Sequence, residues 1–286
     1  MAGQLDSLRA WLPSGGARLS SAVPAQTLAI ASGKGGVGKS HITLSLALAL
    51  SQRGKRVLLL DGDMGLANLH ILAGVQPRAD LGDVMAGRCA AEDALVAIAP
   101  GVDLLPSASG VTGLSSLPVE TVNRLVASLS GIQANYTHAL VDIGAGIGET
   151  SLHLACASDR VLLVTTPEAT AQADAYAFLK VSRARRGDLP FSLVINLCDV
   201  PEQGPESAMR LSAVARRFLG IELPYWGCIP RQRGLDQFLR QRVPAFLADP
   251  QGEFSRAVVE LSRQIPESRS LATPGFFARL SSVPLT

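Results

Sequence analysis

Gly33-Lys34-Gly35-Gly36-Val37-Gly38-Lys39-Ser40 is the stretch that decides the fold. It reads G-x-x-x-x-G-K-S, directly after the apolar run Leu28–Ala31 and directly before a helical stretch, Ile42–Gln52. Glycines at these positions let the backbone curl so that successive N–H groups point at phosphate oxygens. Lys39 would reach the β- and γ-phosphates of a nucleotide, and the Ser40 hydroxyl would ligate Mg²⁺. The helix that follows adds the positive end of its dipole. Glycine-rich turns arise for other reasons, but not with the whole motif between a strand and a helix.

Working outward, two further runs deliver acids to the same end of a sheet. Val57-Leu58-Leu59-Leu60-Asp61-Gly62-Asp63 is an apolar strand closing on two aspartates. Leu140-Val141-Asp142-Ile143-Gly144-Ala145-Gly146 is another, followed by glycines that would let phosphate approach. Asp142 is placed to hold Mg²⁺ through water, and Asp63 to orient or deprotonate an attacking water. Asp61 reads better as a turn former. Further apolar runs at Val102–Leu105, Val161–Thr165, Leu193–Leu197 and Tyr225–Ile229, like Ala139–Ile143 around Asp142, are mostly hydrophobic, as strands buried on both faces are. Helical stretches alternate with them, among them Val119–Leu129, Ala169–Arg185 and Glu206–Phe218. The expected fold is therefore α/β: a doubly wound, mostly parallel sheet with helices on both faces and ligands at the carboxyl ends of its strands.

Composition narrows the class. Of 286 residues, 47% are hydrophobic and 17% charged, a globular balance, and a net charge of +2 does not argue for nucleic acid. Cys89, Cys156, Cys198 and Cys228 form no C-x-x-C pair, so reduced thiols are expected rather than a disulfide framework or a zinc or iron–sulfur site. The N-terminus lacks a signal-peptide h-region and no apolar run spans a membrane, which points to the cytoplasm. Three parts are expected: an N-terminal helix and linker over 1–25, a nucleotide-binding domain over 26–266, and a linker with a short amphipathic tail over 267–286.

The segments SGKGGVGKS, VLLLDGDMGLANLHILAG and LVDIGAGIG together resemble the deviant Walker A ATPases of the MinD/ParA group. GLANLHILAG, LGDVMAGRC, LLPSASGV and TTPEATAQADAYAFLK are similar to the FlhG/FleN branch, which governs flagellar number and placement. The resemblance is dense over 27–180 and thinner to about 265. It implies slow, Mg²⁺-dependent ATP hydrolysis by a homodimer that forms on ATP. It assigns Lys34 to the signature lysine that crosses to the partner's phosphates, Lys39 to the ordinary loop lysine and Ser40 to the Mg²⁺ ligand. Asp63 falls on the water-activating acid, Asp142 on the Walker B acid and Asn196 on an adenine contact. The remaining loop residues, Gly33, Gly35, Gly36, Val37 and Gly38, line the phosphates. His41 departs from the pattern, standing where the family has a Thr or Ser that supports the α-phosphate; an imidazole still donates a hydrogen bond.

The same resemblance implies partners: the flagellar GTPase FlhF and a FleQ-like transcription activator. Direct DNA binding is not expected, since Arg183, Arg185 and Arg186 alone make a thin basic face. Gly3-Gln4-Leu5-Asp6-Ser7-Leu8-Arg9 loosely resembles the short helix with which the branch engages its GTPase, and reads equally as a frayed terminus. Within residues 275–283, Phe276, Phe277, Leu280 and Val283 would share one helical face, where the family has a membrane-targeting helix. Burying four such side chains offers roughly 6–12 kcal/mol gross, much of it spent on ordering the segment. Docking of that face on the protein's own domain is the alternative. For function, the alternatives are a MinD- or ParA-type positioning ATPase for division or DNA segregation, and a non-hydrolysing ATP-binding adaptor in which His41 marks lost activity.

Overall fold

The structure is a computed structural model that describes residues 25–63, 68–107, 129, 131–232, 234–267 and 275–282. The helical stretch expected at Val119–Leu129, apart from Leu129, and the whole N-terminal helix lie outside the described residues.

Among the described residues, eight strands form one sheet: β1 Gln26–Ala31, β2 Val57–Gly62, β3 Val96–Ala99, β4 Val102–Leu105, β5 His138–Ile143, β6 Arg160–Thr165, β7 Phe191–Cys198 and β8 Tyr225–Pro230. Their order is β3-β4-β2-β5-β1-β6-β7-β8. All neighbouring strands run parallel except β3 and β4, a hairpin at one edge. β3 is the strand that the sequence did not announce. Val96–Ala99 is short, and its edge position leaves all but Ala99 partly or fully exposed, so it lacks the continuous apolar run of the central strands.

The described helices are α1 Lys39–Gln52, α2 Leu69–Ala73, α3 Leu81–Met85, α4 Glu149–Ala157, α5 Ala169–Arg185, α6 Gln203–Leu219, α7 Leu235–Gln241, α8 Ala245–Ala248, α9 Glu253–Arg263 and α10 Phe276–Ser282. Two cores result, one on each face, because successive strand residues point to opposite sides. Leu28, Ile30, Leu59 and Leu140 meet α1, α8 and α9 on one face. Ala29, Leu58, Val141 and Leu163 meet α4, α5, α6 and α10 on the other. Helix α1 is buried along nearly its whole length, between the sheet and α9. Its apolar residues therefore need no stripe, and a helix that is hydrophobic all round belongs inside.

Helix α10 docks on the domain. Phe276, Phe277 and Leu280 retain 1%, 2% and 8% exposure in a cleft lined by Leu60, Leu105, Val141 and Leu154. The two phenyl rings meet edge to face at 5.0 Å. Polar contacts finish the join: Arg279 Nε donates to Ala157 O at 2.6 Å, and its guanidinium pairs with Asp159 at 2.7 Å. His153 Nε2 lies 2.7 Å from Leu280 O. The apolar face of the tail is thus used by the chain itself. Val283 lies outside the described residues. Phe277→Ala should weaken docking by about 3–5 kcal/mol, as buried Phe→Ala changes do. Limited trypsin digestion checks it: cleavage after Arg279 should become about 10²- to 10³-fold faster. An unchanged rate would mean that the ring does not hold the helix.

Candidate functional site

The phosphate loop leaves β1 at the centre of the sheet and turns into α1. Gly36 and Gly38 take φ of 80° and 85°, the left-handed region that costs other residues strain. Space forbids a side chain as well: a Cβ on Gly38 would lie 2.3 Å from Asn196 Nδ2, and one on Gly33 would lie 2.1 Å from the Asp174 carbonyl carbon. The loop is braced from both sides. Asn196 Nδ2 donates to Val37 O at 2.7 Å, and Gly146 N donates to Ser32 O at 2.9 Å. Residues from β7 and from the turn after β5 therefore fix the loop's shape, and such pre-organisation lowers what a ligand must supply.

Asp142 is the electrostatic centre. It follows Leu140 by two residues, so it faces α1, and it is 2% exposed. Lys39 Nζ donates to Asp142 Oδ1 at 2.8 Å, and Thr43 Oγ1 lies 3.1 Å from the same oxygen. Thr43 sits one turn beyond Lys39 and was not singled out from the sequence; its four-residue spacing from Lys39 was the available signal. Asp63, past the end of β2, is half-buried, and its carboxylate faces Gly144: a Cβ there would lie 3.7 Å from Asp63 Oδ1. The ends of β2, β5 and β1 are adjacent, which is how Asp63, Asp142 and the loop come to one place.

Asp61 is the turn former expected. Its oxygens accept from Asp63 N at 3.2 Å and Leu69 N at 3.3 Å. Burial, reinforced by the charge of Asp142, pushes its carboxyl up to about 7 against those two N–H donors. A raised carboxyl favours folding while protonated, so its ionisation opposes folding increasingly as pH rises from the unfolded value toward about 7. Asp61→Asn should therefore gain stability relative to wild type, by about 2–3 kcal/mol between about pH 5 and pH 8. Urea unfolding at the two pH values tests this, and an identical difference at both would refute it.

The other residues lie as follows. Ser40 is half-buried in the first turn of α1 beside Lys39. His41 is half-buried too, and burial holds its imidazole below the usual histidine range although Asp142 works against this. Lys34 stands at the mouth, with Nζ 3.2 Å from Glu168 Oε2 and 3.4 Å from Thr170 Oγ1, at the start of α5. Glu168 was not named from the sequence, although it lies within the TTPEATA segment quoted for the resemblance. Asn196 touches the loop backbone through its amide, a contact that no sequence spacing could reveal.

Residues 28–245 match the family described as the CobQ/CobB/MinD/ParA nucleotide binding domain. The chain belongs to that family. It is 35% identical over 242 residues to the antiactivator FleN of Pseudomonas aeruginosa, covering 85% of this chain and 86% of that one. It is 34% identical over 237 residues to the flagellum site-determining protein YlxH of Helicobacter pylori, covering 82% and 80%. Among solved structures it is similar to the septum site-determining protein MinD of Pyrococcus horikoshii, complexed with Mg-ADP. That match has a TM-score of 0.70 and 26% identity, covering 85% of this chain and 96% of that one. The fold is that of the MinD/ParA P-loop proteins, as the sequence implied, and no described helix is long and apolar enough to cross a membrane.

Proposed function

We propose that this MinD/ParA-family ATPase is an ATP-switched regulator of flagellar number or placement. The observation that carries the reading is the buried Lys39–Asp142 pair beneath a braced glycine loop, with Asp63 at the neighbouring strand end. Relatives named as an antiactivator and a flagellum site-determining protein, each matched over most of its length, supply the biological setting. The residues present fit a nucleoside triphosphate. Left-handed glycines turn backbone N–H groups outward, and a lysine at the base of the loop would exchange its aspartate for β- and γ-phosphate oxygens.

In this reading Gly33–Ser40 bind the phosphates and His41 supports the α-phosphate. Ser40 and Asp142 would hold Mg²⁺, which would neutralise charge developing on the transferred phosphoryl group. Asn196 faces the adenine end of the site. Asp63 accepts a proton from, or orients, the attacking water. Lys34 leaves Glu168 and crosses to the phosphates of a second copy. The ATP dimer then engages a flagellar GTPase of the FlhF kind or a FleQ-like transcription activator. The face of α10 now docked on the domain cannot contact a membrane at the same time, so peripheral membrane association requires its release.

The test is genetic and chemical. Deleting the gene in its own host should change the number or position of flagella, and wild type but not Asp63→Ala should restore them. The purified protein should release phosphate from ATP slowly. An unaltered flagellar pattern, with altered division or chromosome segregation, would favour the positioning role suggested by MinD relatives. Flagellar control without any phosphate release would favour the non-hydrolysing adaptor.

A further inference from the structure

Behind the loop brace lies a pair of thiols that the nucleotide chemistry does not use. Cys228 on β8 is in register with Ile195 on β7, and Cys198 Sγ donates to the carbonyl of that same Ile195 at 3.7 Å. The Cys228 thiol lies beside Cys198 and Tyr225, near enough to raise the pKa of both. Leu197, between Asn196 and Cys198, has a φ of 58°, and this left-handed step lies where the β7–β8 register shifts. Gly204 of α6 closes over Cys228: a Cβ there would lie 3.1 Å from Cys228 Sγ and 2.5 Å from the Tyr225 hydroxyl. Both cysteines are free thiols, Cys198 buried and Cys228 partly exposed.

We propose that Cys198 and Cys228 form a reversible dithiol–disulfide switch that, when oxidised by a peroxide, loosens the phosphate loop through Asn196. The chemistry closes without a further reagent. Cys228 attacks the peroxide, giving a sulfenic acid and one water from hydrogen peroxide. The Cys198 sulfur then displaces the hydroxyl as a second water, so two thiols lose two hydrogens and the peroxide gains two electrons. Cys228 goes first because it is the more exposed. Burial, with Cys228 alongside, pushes the Cys198 thiol up to about 12, so it does not compete for the peroxide; it resolves because it is the neighbouring thiol, its proton passing to the departing hydroxyl as its sulfur closes on Cys228.

The coupling is geometric. A disulfide needs its own Cβ–S–S–Cβ dihedral and sulfur–sulfur contact, which Cys198 reaches by leaving Ile195 O. That movement turns the chain at Leu197, and the residue before it is Asn196, whose amide holds Val37 O. Cys198 O also accepts from Arg231 N at 2.9 Å, so the segment after β8 moves with it. This inference rests on the reading of Gly33–Ser40 as the nucleotide loop.

The test treats the purified full chain with excess hydrogen peroxide, then maps its peptides without reduction and measures ATP affinity by calorimetry. The expected result is a Cys198–Cys228 cross-linked peptide, two hydrogens lighter, with ATP binding weakened about tenfold and restored by dithiothreitol. Cys228→Ser and, as an independent variant, Cys198→Ala should keep their ATP affinity through the same treatment. A folded protein that binds ATP but yields no such cross-link overturns the switch. So does a cross-linked protein with unchanged ATP affinity. Reduced protein that binds no ATP would overturn the loop reading and the switch with it, which the peptide map distinguishes from failure of the thiols to pair.

Discussion

Lys39→Ala is expected to weaken ATP binding about 10²–10³-fold and to destabilise the fold at the same time. The lysine would supply the main positive charge to the phosphates, and losing one partner of a buried charged contact costs about 2–5 kcal/mol. The second effect comes from Asp142. With Lys39 removed, a carboxylate that is 2% exposed keeps Thr43 as a hydrogen-bond donor but no counter-charge. Breaking a buried ion pair from one side typically costs about 3–5 kcal/mol. The two effects separate in the double variant Lys39→Met/Asp142→Asn, which leaves no unpaired charge. It should recover most of the stability in urea unfolding while still failing to bind ATP in calorimetry. A Lys39→Ala protein with wild-type ATP affinity would end the phosphate-loop assignment.

Mixing Lys34→Ala protein with Asp63→Ala protein should restore ATP hydrolysis that neither has alone. In a mixed dimer the Lys34→Ala subunit keeps its own Asp63 and faces the partner's intact lysine, so one of the two sites is complete. At equal mixing half the dimers are mixed, and activity should approach about a quarter of wild type. The contact that Lys34 makes within its own chain is no obstacle. Its pairing with Glu168 is solvent-exposed, with side chains 44% and 67% accessible, and such pairs contribute about 0–1 kcal/mol. A phosphate in a closed interface is the stronger partner, because charges there are poorly screened. If light scattering demonstrates mixed dimers and no ratio of the two proteins recovers hydrolysis, Lys34 does not act across the interface.

The parts of the site that were legible in the sequence are those fixed by local chemistry. The loop needs glycine where φ is positive, and Gly36 and Gly38 stand at such positions. β2 and β5 are buried along their whole length, so apolar residues run unbroken up to the acids at their ends. Asp61 as a turn former follows from an aspartate two residues before the backbone N–H it accepts. The residues not legible act over long sequence separations. Thr43 matters because β5 brings Asp142 against α1, and Glu168 because α5 begins beside the loop. Cys198 and Cys228 share no motif, and only the pairing of β7 with β8 makes them neighbours.

By itself, then, the sequence determined the α/β class, the phosphate loop, the order of the central strands along the chain and the acids at their ends. These follow from backbone sterics and the burial of strands on both faces, which act within a few residues. Only the tertiary structure decided what lies across gaps of a hundred residues or more. It brought Asn196 against Val37 and Asp142 against Lys39, and it placed α10 on its own domain. The tail shows why. An amphipathic face of two phenylalanines and a leucine specifies that something apolar must cover it, since the hydrophobic effect is non-directional. Which surface covers it depended on a cleft lined by Leu60, Leu105, Val141 and Leu154, together with Asp159 placed to receive Arg279.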